Sequence, residues 1–311
     1  MRRYAITAVV ALAAAGVTVG LTLATRTTVP KRERAAAQSG RPPLVLDLGV
    51  RTDPEAIALR NAADEYDRGK VASAAKVFGR YGSPEAQVGA ALASWPSGFG
   101  RLEALVRARP RSSLVQLNYG LGLYWRGQAA EAQAAWRTAR RVQPDTPYSL
   151  RAEDLLHPKF PRGLPTYVPT FASPPALAKL SPPQQLRYLK EHATDDRGHL
   201  LLGVAYQRLG RRLSALREFE RASGPEAEVA QAVGRFDKAD PSRTFSRLGP
   251  LAQKYPRSQS VRFHLGLCLL WLGSIDEAKK QLRLARDLGP TTQLGTESRR
   301  FLERLGTVGT R

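Results

Sequence analysis

One cysteine, one methionine and four histidines are a small stock of ligating or reactive side chains for 311 residues. A single cysteine, Cys268, excludes any intramolecular disulfide. His157, His192, His199 and His264 show no metal-ligand spacing. His192 and His199 do flank Asp195-Asp196, but a pair of aspartates opening a helix explains those carboxylates more simply. No G-x-S-x-G elbow, G-x-x-x-x-G-K-[ST] loop, H-E-x-x-H or C-x-x-C occurs. The sequence therefore assigns no catalytic residue, no metal and no cofactor, and an enzyme is not expected. Strand signals are missing too: after residue 50 no stretch alternates β-branched and polar residues over six positions. The chain is read as all-α.

Acidic residues are also scarce, 27 against 48 basic ones, for a net charge of +21. The basic residues recur late in helical segments, as Arg137, Arg140 and Arg141; Arg208, Arg211 and Arg212; Lys279, Lys280, Arg283 and Arg286. Cations near helix C-termini favour the helix dipole, and charged outer faces keep a helical stack soluble. An anionic polymer, nucleic acid or acidic polysaccharide, is the competing explanation. It rests on the arginine excess alone, so nucleic acid is not the favoured partner.

What the sequence does contain is itself, twice. Residues 55–157 and 196–303 are two copies of one design. At an offset of 141, Gly69, Ala74, Phe78, Pro84, Glu85 and Ala86 meet identical residues from Gly210 to Ala227. An insertion near Asp237 moves the offset to 146, and Pro110, Gly120, Trp125, Gly127, Ala132, Arg140 and Pro144 then find their counterparts up to Pro290. Cys268 and His264 stand four apart on one helix face, but their sister positions hold Gly122 and Asn118. Packing is thus the expected role of the thiol.

Four segments resemble the tetratricopeptide (TPR) repeat, a helix–turn–helix of about 34 residues with the pattern W-x2-L-G-x2-Y…A-x3-F…P. The third reads His199-x2-Leu202-Gly203-x2-Tyr206, then Ala215-x3-Phe219 and Pro225. The second reads Gln116-x2-Tyr119-Gly120-x2-Leu123, Ala132-x3-Trp136 and Pro144. The fourth reads Arg262-x2-Leu265-Gly266-x2-Leu269, Ala278-x3-Leu282 and Pro290. The first keeps Ala74-x3-Phe78 and Pro84 but has Asn61-Ala62 for Leu-Gly. Gly69, Gly127, Gly210 and Gly273 mark the turns. Shortened helix pairs, 85–94 with 98–109 and 226–236 with 241–254, lie between the repeats, and 148–156 and 294–304 close each half. The resemblance implies a TPR-like α-α superhelix, a solenoid in two duplicated halves.

It also implies a concave groove that binds a protein or peptide segment. The groove positions are Leu117, Leu121, Tyr124 and Trp125 in the second repeat; Leu200, Val204, Gln207 and Arg208 in the third; and Phe263, Leu267, Leu270 and Trp271 in the fourth. Trp125 and Trp271 hold the same place in the two halves, as groove anchors or as packing between helix layers. The Lys and Asn by which some TPR proteins clamp a C-terminal carboxylate are absent; Leu59 and Ala63 stand there in the first repeat.

The expected organisation is an anchor or signal over 1–25, a basic linker over 26–53, one half over 54–157, a proline-rich linker with a short helix over 158–195, the second half over 196–305, and a tail over 306–311. Residues 4–25 carry no charge and follow Arg2-Arg3, long enough to cross a bilayer. A retained single-pass membrane helix is the expectation, preceding the superhelix; a cleaved signal ending near Ala24 is the alternative. The basic head before the span favours an extracytoplasmic body, whereas Arg26, Lys31, Arg32 and Arg34 after it favour the opposite side. Eight prolines between 158 and 183 forbid helix there. Leu164, Tyr167, Val168 and Phe171 in that stretch are expected to pack on a repeat.

Overall fold

The computed structural model describes residues 37–307, so the expected membrane segment over 1–25 lies outside the described residues. Among the described residues there are sixteen helices and no strand, and no helix is long and apolar enough to cross a membrane. The first half holds α1 (Pro54–Asp67), α2 (Val71–Phe78), α3 (Pro84–Ala93), α4 (Phe99–Ala108), α5 (Ser113–Trp125), α6 (Ala129–Val142) and α7 (Pro147–Leu156). The linker contributes the expected short helix, α9 (Pro182–His192), and also one helical turn, α8 (Pro175–Ala178), inside the stretch whose prolines are expected to forbid helix. Pro175 stands at the first helical position, where proline is tolerated. The second half repeats the first with α10 (Asp196–Arg208), α11 (Arg212–Arg221), α12 (Pro225–Gly234), α13 (Ser242–Lys254), α14 (Gln259–Trp271), α15 (Ile275–Leu288) and α16 (Gln293–Thr307).

Local chemistry sets these boundaries. Asp53, Ser83, Ser112, Thr146, Asp195 and Ser258 each accept a backbone N–H of the helix they precede. Such a cap contributes about 1 kcal/mol. Proline opens α1, α3, α7 and α12, where its missing N–H forfeits no hydrogen bond. Ser181 and Gln184 form a capping box at α9, beside Pro182.

Successive helices pack as pairs, α1 on α2, α5 on α6, α10 on α11 and α14 on α15. The first member of each pair also touches the first member of the next, giving two inner walls: α1–α3–α5–α7 and α10–α12–α14–α16. This layering of helix hairpins is TPR-like. Close approach within a pair needs a missing side chain. A Cβ on Gly203 would lie 2.2 Å from the Phe219 ring, and one on Gly120 would lie 2.4 Å from the Trp136 indole. Ala132, Ala215 and Ala278 are buried on the facing helices. The turn glycine Gly210 has φ +66° and sits against Pro147, so it also touches the other half.

The two halves meet through polar side chains. Glu153 on α7 is almost wholly buried and takes a hydrogen bond from Arg212 at 3.1 Å, with Arg140 at 3.8 Å. The Lys238 ammonium, out of water, donates to Asp154 at 2.5 Å and to the Pro161 carbonyl at 2.6 Å. Arg140 pairs with Asp237 at 3.1 Å, and Asp145 accepts the N–H groups of Leu213 and Ser214 at the start of α11. Asp237 and Lys238 belong to the insertion that shifts the repeat offset. The departure from the duplication thus supplies part of the junction. Helices α8 and α9 lie against α10, where Leu177 and Leu189 share a buried cluster with Leu201 and Leu202.

Candidate functional site: two grooves that hold extended chain

An inner wall of a helical stack is apolar wherever something covers it. In the first half the cover is residues 38–48, which have no helical structure. Leu44 and Leu48 are buried in one cluster with Leu59, Leu117 and Leu121. Backbone polar groups in such a place require partners. Asn118 on α5 supplies two: its Oδ1 accepts the Val45 N–H at 3.0 Å and its Nδ2 donates to the Val45 carbonyl at 3.0 Å. The same Nδ2 also donates to the Leu114 carbonyl one turn back, which fixes the amide. The Tyr66 hydroxyl of α1 donates to the Pro42 carbonyl at 2.6 Å. The Tyr148 hydroxyl of α7 donates to the Asp47 carbonyl at 2.8 Å and accepts the Asp47 N–H. At the near end the Gln38 N–H reaches the Trp125 carbonyl at 2.9 Å.

The second half repeats this with the proline-rich linker. His264 on α14, the sister of Asn118, accepts the Val168 N–H on Nε2 at 2.9 Å. Its Nδ1 lies 2.7 Å from the Ser260 carbonyl one turn back, so Nδ1 carries the proton and donates there. Gln207 on α10, the sister of Tyr66, accepts the Tyr167 N–H at 3.1 Å. Tyr167 is buried against Phe219 and stacks on the His264 ring, with its hydroxyl donating to Glu226 at 2.5 Å. Leu164 and Phe171 pack on the same cluster and Val168 on the neighbouring one. The apolar linker residues expected to pack on a repeat do so.

The two bound segments share a pattern. Pro42-Pro43-Leu44-Val45 and Pro165-Thr166-Tyr167-Val168 both place a buried proline, an outward residue, a buried large apolar side chain and a valine whose N–H is held by position 118 or 264. Burial removes the charged form of His264 from favour, holding its pKa down at about 4 and leaving Nε2 free to accept. Burial also pushes the Cys268 thiol well above its usual range. With both nitrogens of His264 engaged elsewhere, Cys268 packs as a small apolar group.

The positions expected to line a groove divide by depth. Leu117, Leu121, Leu200, Val204, Phe263 and Leu267 are buried. Tyr124, Trp125, Gln207, Leu270 and Trp271 are half-buried and Arg208 is exposed. Trp125 lies edge-on to Tyr124, while Trp271 packs against both clusters of the second half. Asn118, His264 and Tyr66 are the residues that the pattern of groove positions missed. Of the two candidate metal-site histidines, His199 contacts Glu218 at 2.9 Å and His192 stacks on Tyr188; Asp195 caps α10.

Several members of the basic clusters are engaged in the fold, Arg140 and Arg212 at the junction and Arg286 with Asp287 at 2.7 Å. A cleft of about 510 Å³ gathers Arg212, Arg235, Arg243 and Arg247 around Leu216 and Asp237. Three of its arginines already face carboxylates: Glu153, Glu220 and Asp240.

No protein-family model matches the chain. No curated protein matches it. Among solved structures, it is similar to the C-terminal part of a TPR repeat-containing protein from Cytophaga hutchinsonii, with 16% identity over 77% of this chain and 98% of that one, at a TM-score of 0.25. At that score the architecture rests on the helix pairs of this chain itself.

Proposed function

We propose that this protein is a TPR-type scaffold that binds a segment of a protein partner, held to a membrane by residues 1–25 with its repeats on the extracytoplasmic side, and that it works in cell-envelope assembly or in organising a complex there. The observation that carries this reading is the handling of extended chain in both halves. Asn118 and His264, at equivalent places on α5 and α14, each hold a valine N–H, and Tyr66 and Gln207 hold one further backbone group of each segment, while apolar side chains sink into the wall. That is the chemistry of peptide recognition, with main-chain bonds for register and side-chain pockets for specificity. Tyr124, Trp125, Leu270, Trp271 and Arg208 remain at the margin of these covered walls as the surface a partner would meet.

The test compares affinity capture by wild type and by Trp125→Ala and Trp271→Ala from detergent-solubilised membranes. Half-buried aromatic anchors of this kind are worth roughly 1–3 kcal/mol to an interface. The reading expects a partner whose retention falls with either substitution and which stays bound as salt rises. The melting temperature should be unchanged in Trp125→Ala and lowered in Trp271→Ala, because Trp271 packs on both clusters of its half. The arginine-lined cleft favours a second reading, an anionic polymer. Retention that ignores both tryptophans and falls steeply with salt would establish that alternative instead.

A further inference from the structure

The two straps differ in one respect that their shared pattern conceals. Residues 158–183 join α7 to α9 and are fixed on both sides of their bound stretch. Upstream, the Pro161 carbonyl and the Gly163 N–H are held by Lys238 and Asp154 at the junction between halves. Downstream, α8 and α9 are packed on α10. Lifting Tyr167 and Val168 from their wall would therefore disturb the junction, the helical insertion, or both. The first strap leads into α1 through the short segment 49–52. Its long-range bonds after Gln38 run to α1, α5 and α7, and the remaining ones, from the Gly49 N–H to Asp47 and from the Arg51 N–H to the Leu48 carbonyl, stay within the turn before α1. Residues 49–52 between strap and α1 are exposed or half-exposed, and Gly49 has φ +55° in a turn closed by short-range hydrogen bonds. Among the described residues, none of the strap's hydrogen bonds joins the two halves or closes a helix pair.

We propose that the first groove is an exchangeable peptide site: residues 41–48 fill it as an internal ligand, and its external ligand is an extended segment of a partner protein with the pattern proline, any residue, large apolar residue, valine. The inference deepens the scaffold reading above and rests on it. The pattern is taken from the two occupants of equivalent walls, which agree in the buried proline, the buried large side chain and the valine whose N–H is read. Position 118 is the reading residue. It holds both polar groups of Val45 and so reads the backbone there, while the packing of Pro42, Leu44 and Val45 on the wall sets the sequence. An internal ligand competes at an effective concentration in the millimolar range, so a partner displaces it only when its own segment is presented at comparable local concentration or with added contacts. The half-buried Tyr124 and Trp125, at the Gln38 end of the strap, are placed to give such contacts. The second groove, closed by a strap fixed at both ends, serves as structure.

The experiment uses full-length protein in mild detergent and a fluorescein-labelled peptide of residues 39–50, with a scrambled peptide as control. Leu44→Asp places a carboxylate in the apolar pocket and disfavours the internal ligand. The peptide is expected to bind Leu44→Asp at least tenfold more tightly than wild type, and Asn118→Leu in the Leu44→Asp background should abolish the gain. In wild type, the Val45 amide should exchange with solvent at least tenfold faster than the Val168 amide, because opening the first strap is local. A folded Leu44→Asp that binds the two peptides equally would overturn the proposal. So would a Leu44→Asp chain that cannot fold, or Val45 and Val168 amides that exchange together, since either makes the first strap structural. Peptide exchange that succeeds while the tryptophan substitutions leave partner capture intact would separate this groove from the anchor surface, failing only the latter.

Discussion

Lowering the pH should loosen the second half while leaving the first untouched by the same cause. His264 must be neutral to do its work, because Nε2 accepts the Val168 N–H and Nδ1 donates to Ser260. Its pKa in the folded protein is about 4, against an ordinary 6.5, the shift being caused by burial. The native state therefore binds fewer protons than the unfolded state between those two values. The stability contribution is fully present above pH 6.5 and is lost as pH falls towards 4. At 1.36 kcal/mol per pH unit, the loss between pH 7.5 and pH 4.5 is roughly 3 kcal/mol. Carboxylates titrate over part of the same range, so the comparison has to isolate the imidazole. His264→Asn does so, because Asn118 shows that an asparagine can hold the strap from this position. Urea unfolding at pH 7.5 and pH 4.5, followed by tryptophan fluorescence, gives the four stabilities needed. The wild type should lose about 2–3 kcal/mol more than His264→Asn over that range. Equal losses would refute the claim that a neutral imidazole holds Val168.

Two substitutions test the helix packing and the junction. Gly203→Leu drives a side chain into the Phe219 ring, which a Cβ alone would approach to 2.2 Å, and should destabilise the protein by several kcal/mol, about the range of overpacked cores; a wild-type melting temperature would show that this hairpin is packed otherwise. Glu153→Gln removes a buried negative charge between Arg140 and Arg212, and a loss on the order of 3 kcal/mol is expected, with faster proteolysis in residues 158–183. Unchanged stability and unchanged cleavage would mean that the halves are held together elsewhere.

The helix pairs were legible in the sequence because their signals are local and repeated. Gly203 with Phe219, and Gly120 with Trp136, recur at fixed spacing, and Ser112 and Ser258 announce α5 and α14 from one position away. The straps gave no such signal. Extended chain has no helical period, and Val45 and Val168 find their partners 73 and 96 residues along the chain. The shared pattern from Pro42 and from Pro165 was present, but it lies at a different offset from the helices, because α8 and α9 intervene in the second half. A better clue was the polar residue at a buried helix position in both copies, Asn118 in one and His264 in the other. A buried amide and a buried imidazole each demand a partner, and no residue one turn away could satisfy both ends. The groove positions themselves came from the TPR resemblance, which marks the inner face of each first helix. The resemblance finds the inner face of α5, α10 and α14 but is blind to what already covers it, so Leu117, Leu200 and Phe263 stand alongside Trp125 and Trp271 although their depth differs.

The central claim is that these walls bind extended polypeptide, and photo-crosslinking in cells tests it most directly. A photoreactive phenylalanine analogue in place of Tyr124, at the margin of the first groove, should yield a crosslink to one segment of one partner protein. Peptide mapping should place that segment within a few residues of a proline, any residue, large apolar residue, valine sequence. Crosslinks confined to this chain's own residues 37–48, or to nucleic acid or polysaccharide, would contradict it.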